Sequence, residues 1–300
     1  GSRTMPNEPT APEFSLFLPQ MRLSLDTLVE RARAAEAAGF LGMALMDHLA
    51  PPMAESQPMY EAMATAMWLA AHTERLIIGH LVLCDAFRHP AVLAREAVAL
   101  DHASGGRFEL GIGWGSVPAE FEVFGVGDTA ARVRVGRLAE TLEVVRALWT
   151  GEAVTFEGEH FQLTGAQQQP TPLGHIPILI GGSGPKTLEL VRRHADWCNL
   201  PIHQLDRLDD VRATVGEDVR ISTQHRVVWV PPGGDRAEVE ATALRRFGTT
   251  GMVVGEAAEL VEHFRGLNAL GVDRFYIWFA DFAPPETLAG FGEGVIAAFD

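Results

Sequence analysis

The sequence predicts an α/β fold, a closed (β/α)8 barrel, and three observations predict it. Eight short apolar runs recur along the 300 residues, and helical segments alternate with them. Each run is nearly continuous in Val, Ile, Leu and Phe, as in parallel strands covered on their outer face. Right-handed βαβ crossovers repeated in this way favour a closed ring over an open sheet. An open doubly wound sheet is the alternative.

The elements follow in order. FSLFLP (14–19) has the length of a first strand. Ser24 caps a helix whose Leu25, Leu28, Val29, Ala32 and Ala35 recur at helical spacing, and Gly39 ends it. FLGMALMD (40–47) is the second strand, followed by a Pro-Pro loop and an Ala/Met-rich helix over about 58–72. RLIIGHLVLC (75–84) is the third strand. Pro90 stands at the first position of the next helix, which runs to about Ser104 and stops at Gly105-Gly106. RFELGIG (107–113) is the fourth strand, and a long helix over about 131–149 follows. Segment 151–176 has turn residues and weak periodicity and reads as an excursion. IPILIGG (176–182) with a helix over 185–194 forms the fifth unit, and DWCNL (196–200) with a helix near 204–213 the sixth. VRISTQHRVVWV (219–230) is the seventh strand, with helices from Arg236 and Ala257. RFYIWFA (274–280) is the eighth, and a helix after Pro285 closes the chain.

Composition narrows the function. A net charge of −15 argues against a nucleic-acid partner, which needs clustered Lys and Arg. Cys84 and Cys198 make no CxxC or zinc spacing, and a reducing cytoplasm suits them. No apolar run approaches the about 18 residues of a membrane span. Gly1 to Thr4 read as a tag scar and Pro6 to Glu13 as a loose leader, leaving 14–300 as one barrel domain.

In such a barrel the chemistry sits at the carboxyl ends of the strands. The shortlist is therefore Asp47-His48, 81–85, 113–116, 181–184, Asn199, His225 and Asp281. ILIGGSGPKTLELV (178–191) nearly fits two nucleotide motifs and satisfies neither. A P-loop needs Gly where Pro185 stands, and a dinucleotide fingerprint needs Gly where Thr187 stands. With Gly184 as N-cap, the backbone of Gly182, Ser183 and Gly184 is free to approach an anion at a helix N-terminus. The stretch reads equally as an ordinary βα turn, with Lys186 an added cation or a solvated residue. His48 is placed to exchange a proton or donate a hydrogen bond, with Asp47 fixing its tautomer or holding a cofactor edge. A capped loop with an incidental His is the plain alternative. His80, inside the third strand, reads as a core histidine. Trp114 and Trp278 wall a flat ligand or plug the barrel. No HxH or HExxH spacing suggests a metal, and no GxSxG or Cys-His arrangement suggests a nucleophile.

HTERLIIGHLVLCDAFRHPAVLAREAVALDHASGGRFELGIGWG (72–115) resembles the luciferase-like monooxygenase family. Its pattern there is a TeR turn, an R-x-P segment and an SgGR run leading to G-x-G-x-G. AAGFLGMALMDH, LAETLEVVRALW with FEGEHFQL, and PILIGGSGPKTLELVRRHADWCN extend the likeness over nearly the whole chain from Phe14. The resemblance implies a (β/α)8 barrel of the bacterial-luciferase-like type, with insertions at the carboxyl-end loops. It implies a homodimer binding FMN or the deazaflavin coenzyme F420, and the GGSG-x-K-T-L run is most similar to the F420-dependent oxidoreductases. By that resemblance Gly181, Gly182, Ser183 and Gly184 cradle the phosphate of the coenzyme tail. Leu81-Val82 form a strand bulge against the ring, often with a non-prolyl cis bond, and Asp47, His48, Gly113 and Trp114 surround it. His48, with Asp47, is the catalytic candidate.

The implied reaction is hydride transfer between F420 and a small organic substrate. A reduced-FMN monooxygenase or a non-catalytic flavin-binding barrel are the alternatives. Pro52 and Ser116 stand where relatives that oxidise glucose 6-phosphate carry Trp and Glu, so that substrate is not implied. Phe17, Trp114 and Phe279 lean toward a hydrophobic substrate.

Overall fold

The computed structural model describes residues 10–248 and 251–300. Its strands in chain order are β1 (Glu13–Phe17), β2 (Gly42–Leu45), β3 (Ile77–His80), β4 (Leu83–Cys84), β5 (Leu110–Gly113), β6 (Val154–Glu157), β7 (Gln162–Ala166), β8 (Ile178–Gly181), β9 (Trp197–Asn199), β10 (Arg220–Trp229), β11 (Val253–Gly255) and β12 (Arg274–Phe279). The helices are α1 (Leu25–Ala38), α2 (Ala62–Ala71), α3 (Pro90–Ser104), α4 (Pro118–Phe124), α5 (Ala131–Leu148), α6 (Pro185–His194), α7 (Leu208–Val215), α8 (Arg236–Phe247), α9 (Ala257–Ala269) and α10 (Pro285–Gly294).

Hydrogen bonding runs β3-β2-β1-β12-β10-β9-β8-β5-β4, every neighbour parallel. β4 continues the stave of β3 after a bulge. The ring closes where Ile78 N–H donates to Arg107 O (2.8 Å) and Glu109 N–H to Ile78 O (3.0 Å). Gly111 permits this closure, because a Cβ there would stand 2.0 Å from His80 O. The (β/α)8 barrel expected from the sequence is the fold observed, and all eight expected strands are present.

Residues alternate across each stave. Outward, Phe14 and Phe275 meet Phe264 and Phe291 of α9 and α10 in an aromatic cluster, with Phe264 and Phe275 centroids 4.8 Å apart. Inward, at the amino-terminal end, the buried Arg274 guanidinium fills the floor. It donates to Glu109 Oε2 (2.7 Å) and Oε1 (3.0 Å), to Glu13 Oε2 (2.7 Å) and to Tyr276 Oη (3.0 Å), and stacks 3.9 Å from the Trp197 ring. Above it Phe17, Ala44, Leu179 and Tyr276 form an apolar layer.

Several expectations need correction. Residues 1–9, and with them the tag scar and most of the leader, lie outside the described residues. Glu13 is not leader: it opens β1 and pairs with Arg220 and Arg274. The helix expected from 58 begins at Ala62, because Met59 bridges Met21 and Tyr60 N–H donates to Gln20 O. The excursion at 151–176 carries the β6–β7 hairpin. Neither α4 nor β11 was anticipated, both being too short to show a period. His225 faces outward from β10, 5.3 Å from Phe264 and 5.5 Å from Phe275, and is no part of the barrel mouth. Phe279 likewise packs outward, against Phe291.

Two buried histidines tie stability to pH. Burial pushes His225 down to about 3, with His263 adding in the same direction. Burial also lowers His80, although its Nε2 meets Ala62 O at 2.8 Å. Both are neutral in the fold, whereas the unfolded chain protonates them near 6.5. Stability is therefore fully present above that value and falls as the pH drops toward 3, at up to about 1.4 kcal/mol per pH unit for each group. Urea midpoints taken between pH 7 and pH 4.5 are expected to decline, and His225→Leu to flatten the decline. An unchanged slope in that variant removes His225 as a cause.

Candidate active site

The carboxyl ends of the strands enclose a cavity of about 410 Å³. Asp47 and His48 reach it from the end of β2, Leu81 and Val82 from the bulge between β3 and β4, and Gly113 and Trp114 from the end of β5. Gly181 and Gly182 reach it from the end of β8, and Asn199 and Gln224 complete the far side. Eight of the sequence-predicted site residues thus meet in one place. Ser183 and Gly184 lie next to it, at the start of α6.

His48 is held by a residue that sequence reasoning missed. Its Nδ1 lies 3.1 Å from Glu120 Oε2, with side-chain exposures of 17% and 7%. Glu120 Oε1 also accepts from the backbone N–H groups of Leu49 and Ala50. The carboxylate therefore fixes the loop that follows His48 and the ring itself. An ionised carboxylate only accepts, so Nδ1 carries the hydrogen and the neutral ring keeps Nε2 as its free acceptor. Glu120 is 72 positions from His48, a separation no spacing rule reads. The available signal was Pro118 as a helix start with an acid in its first turn, right after a strand end.

Asp47 has other duties. Its Oδ2 accepts from Cys84 N–H (2.8 Å) and Arg88 Nη1 (2.7 Å), and its Oδ1 from Arg88 Nη2 (3.2 Å). This bidentate pair ties the end of β2 to β4 across the bulge. The group on the His48 ring is Glu120, not Asp47.

The cavity floor is shaped by what is missing from two glycines. The Leu81–Val82 peptide is cis, as the resemblance implied, and Val82 projects between the ends of β5 and β8. A Cβ on Gly113 would stand 2.9 Å from Val82 Cγ2, and one on Gly181 3.5 Å from Val82 Cγ1. Glycine at 113 is therefore required by the bulge, and the result is a floor that a planar ring system can lie on.

At the start of α6 no side chain caps the helix, and Pro185 occupies its first turn. The Ser183 hydroxyl is engaged by Gln204, so the amides of Gly184, Lys186 and Thr187 are the donors at this end. An added Cβ on Gly184 meets no atom within 4 Å, and its φ of −65° is ordinary. Packing does not demand glycine there, and the open space fits a phosphate on the helix dipole. Floor and helix end together fit a ribityl-phosphate-bearing tricyclic coenzyme.

Other candidates from the sequence stand apart from the His48–Glu120 pair. Burial pushes the Cys84 thiol up to about 12, so it supplies no thiolate at neutral pH. Asp85 is buried against Arg137 (2.8 Å). Asp281 lies in a separate cavity of about 390 Å³ beside α8, accepting from Thr287 Oγ1 at 2.6 Å. Trp278 is an inward residue of the layer containing Leu81 and Val82. Among the described residues no group of three metal-ligating side chains occurs, and no helix is long and apolar enough to cross a membrane.

The family model for luciferase-like monooxygenases matches residues 7–248. A protein of Nakamurella multipartita named F420-dependent glucose-6-phosphate dehydrogenase is 37% identical over 173 residues, covering 56% of this chain and 50% of that protein. The match thus spans about half the length of this relative. The F420-dependent hydroxymycolic acid dehydrogenase of Mycobacterium tuberculosis is 30% identical over 261 residues, covering 82% of this chain and 70% of that one. Among solved structures, an F420-dependent secondary alcohol dehydrogenase in complex with an F420-acetone adduct superposes with a TM-score of 0.80 at 20% identity, covering 97% of this chain and all of that one.

The Glu120 contact makes a tautomer prediction. Glu120→Gln keeps an oxygen for the Leu49 amide but turns an N–H toward the His48 ring, which moves the ring hydrogen to Nε2. Nitrogen-15 shifts of His48 are expected to exchange between its two ring positions in this variant. Identical ring shifts in wild type and variant count against the assignment.

Proposed function

Because the chain belongs to the luciferase-like monooxygenase family, we propose that it transfers hydride between coenzyme F420 and a small organic substrate. The observation that carries this reading is the His48–Glu120 pair at the edge of a glycine-bordered floor. The names of the relatives support F420 as the coenzyme. Bound there, the coenzyme supplies a two-electron hydride acceptor or donor at carbon.

The protein's own tasks are then placement and one proton. Val82, Gly113 and Gly181 offer the surface for the ring, and the α6 amides hold the phosphate. Trp114 walls the cavity, its indole 4.9 Å from the Arg134 guanidinium. In the direction of alcohol oxidation, His48 Nε2 takes the hydroxyl proton as the carbinol hydrogen leaves with its electron pair. Glu120 receives the Nδ1 hydrogen bond and stabilises the imidazolium that forms. In the reverse direction the same nitrogen returns the proton to the carbonyl oxygen.

This reading includes a homodimer and cytoplasmic residence. Trp68 on α2 and Val92 on α3 are exposed apolar groups available to a second copy. Both cysteines are buried free thiols, which suits a reducing compartment.

Paired fluorescence titrations with F420 and with FMN test the coenzyme, and tighter F420 binding is expected. Tighter FMN binding moves the chain to the oxygen-using monooxygenases. His48→Asn is expected to lower turnover by about 10²–10⁴-fold while F420 still binds. Unchanged turnover with a working substrate overturns the proton role. Gly113→Ala forces its Cβ against Val82 and is expected to weaken F420 binding, read in the same titration.

A further inference from the structure

One cation at the barrel mouth has no ion-pair partner among the described residues. On β10, Ser222 Oγ reaches Asn199 Oδ1 (2.9 Å) and Gln224 lines the cavity, so the even-numbered residues face inward. Arg226 is next in that series, about 7 Å nearer the mouth at two residues of strand rise. Its register partner is Trp278, whose ring centroid lies 4.2 Å from the guanidinium carbon. Phe247, the last residue of α8, lies 4.2 Å away too, so the guanidinium meets two aromatic rings.

The other inward cations are matched: Arg274 by Glu13 and Glu109, Arg88 by Asp47 and Glu61. Among the described residues Arg226 makes no ion pair and no hydrogen bond, and its Nε is buried without an acceptor. A guanidinium partly removed from water and left unpaired is costly, and an arriving anion relieves that cost. The cavity lining carries the carboxylates Asp47 and Glu120 and neither Lys nor Arg, and Arg226 stands one inward step along β10 from Gln224 of that lining. Trp278, like Leu81 and Val82, packs against the buried layer of Phe17, Ala44, Leu179 and Tyr276, which connects the aromatic pair to the floor of the site.

We propose that Arg226 is the specificity-determining residue of the site and recognises the carboxylate of a hydroxy or oxo acid. This rests on the hydride-transfer reading for the hydroxyl end of the substrate, which lies toward His48. A planar carboxylate matches the free edge of a guanidinium held between two rings. One cation beside a cavity lined by two carboxylates suits a monoanion better than a phosphate dianion, which needs more positive charge.

The test separates the anchor from the coenzyme. The full chain without coenzyme is titrated with benzoate, methyl benzoate and inorganic phosphate by isothermal calorimetry. Saturable binding of benzoate, at least about tenfold weaker for the ester and for Arg226→Gln, is expected. Arg226→Lys keeps the charge but loses the planar fork, and is expected to fall between the two. Circular dichroism and melting temperature verify that both variants fold. No saturable binding to wild type, equal binding of ester and acid, tighter binding of phosphate that Arg226→Gln abolishes, or benzoate binding unaffected by Arg226→Gln each overturns the proposal. With F420 and a panel of hydroxy acids, Arg226→Gln is expected to raise KM about tenfold or more with kcat largely kept; a loss confined to kcat overturns it. If F420 fails to bind while benzoate does, the hydride-transfer reading falls and the carboxylate anchor stands.

Discussion

The buried Arg274 guanidinium holds the barrel together from inside. It joins the first residue of β12 to the first of β1 and to Glu109 at the start of β5, and lies against Trp197 at the start of β9. Removing one carboxylate from such a buried network costs about 3–5 kcal/mol, because the remaining charge is stranded. Its larger effect is on register. A slip of one residue on any of these staves would turn the charge outward and the aromatic residues in. With Arg274 fixed at the floor, alternation puts Tyr276 above it and Trp278 above that, and the staves are short enough that the next layer is already the cavity.

The cavity contains two carboxylates with different fates. Asp47 is engaged by Arg88 and the Cys84 amide, which makes it a brace of the bulge. Glu120 arrives from a helix of its own and is the one facing an imidazole. Two kinds of pairing thus sit side by side, carboxylate with guanidinium and carboxylate with imidazole, and only geometry separates them. The same division applies to the arginines, since Arg88 and Arg274 are neutralised within the chain and Arg226 has no ion pair among the described residues.

The barrel was legible because its staves are buried on both faces, which leaves a local signal of continuous apolar residues. Most of the site was legible because barrel geometry sends strand ends to one place, and the family resemblance marked Leu81-Val82 and the α6 start. What escaped depends on contacts between distant segments. Glu120 sits on a seven-residue helix with little buried surface. Arg88, within the R-x-P segment, carried no sign that it would clasp Asp47. His225 was taken for a strand-end residue because β10 runs on to Trp229, and period-two alternation then carries its ring outward.

Glu120 links two things that enzymes often keep apart. The carboxylate that sets the imidazole also stitches α4 to the Leu49–Ala50 backbone at the edge of the cavity. Any displacement of α4 carries Glu120 away from the Leu49–Ala50 backbone and from His48 Nδ1 together. The position of α4 and the orientation of the His48 ring are thereby tied to one carboxylate.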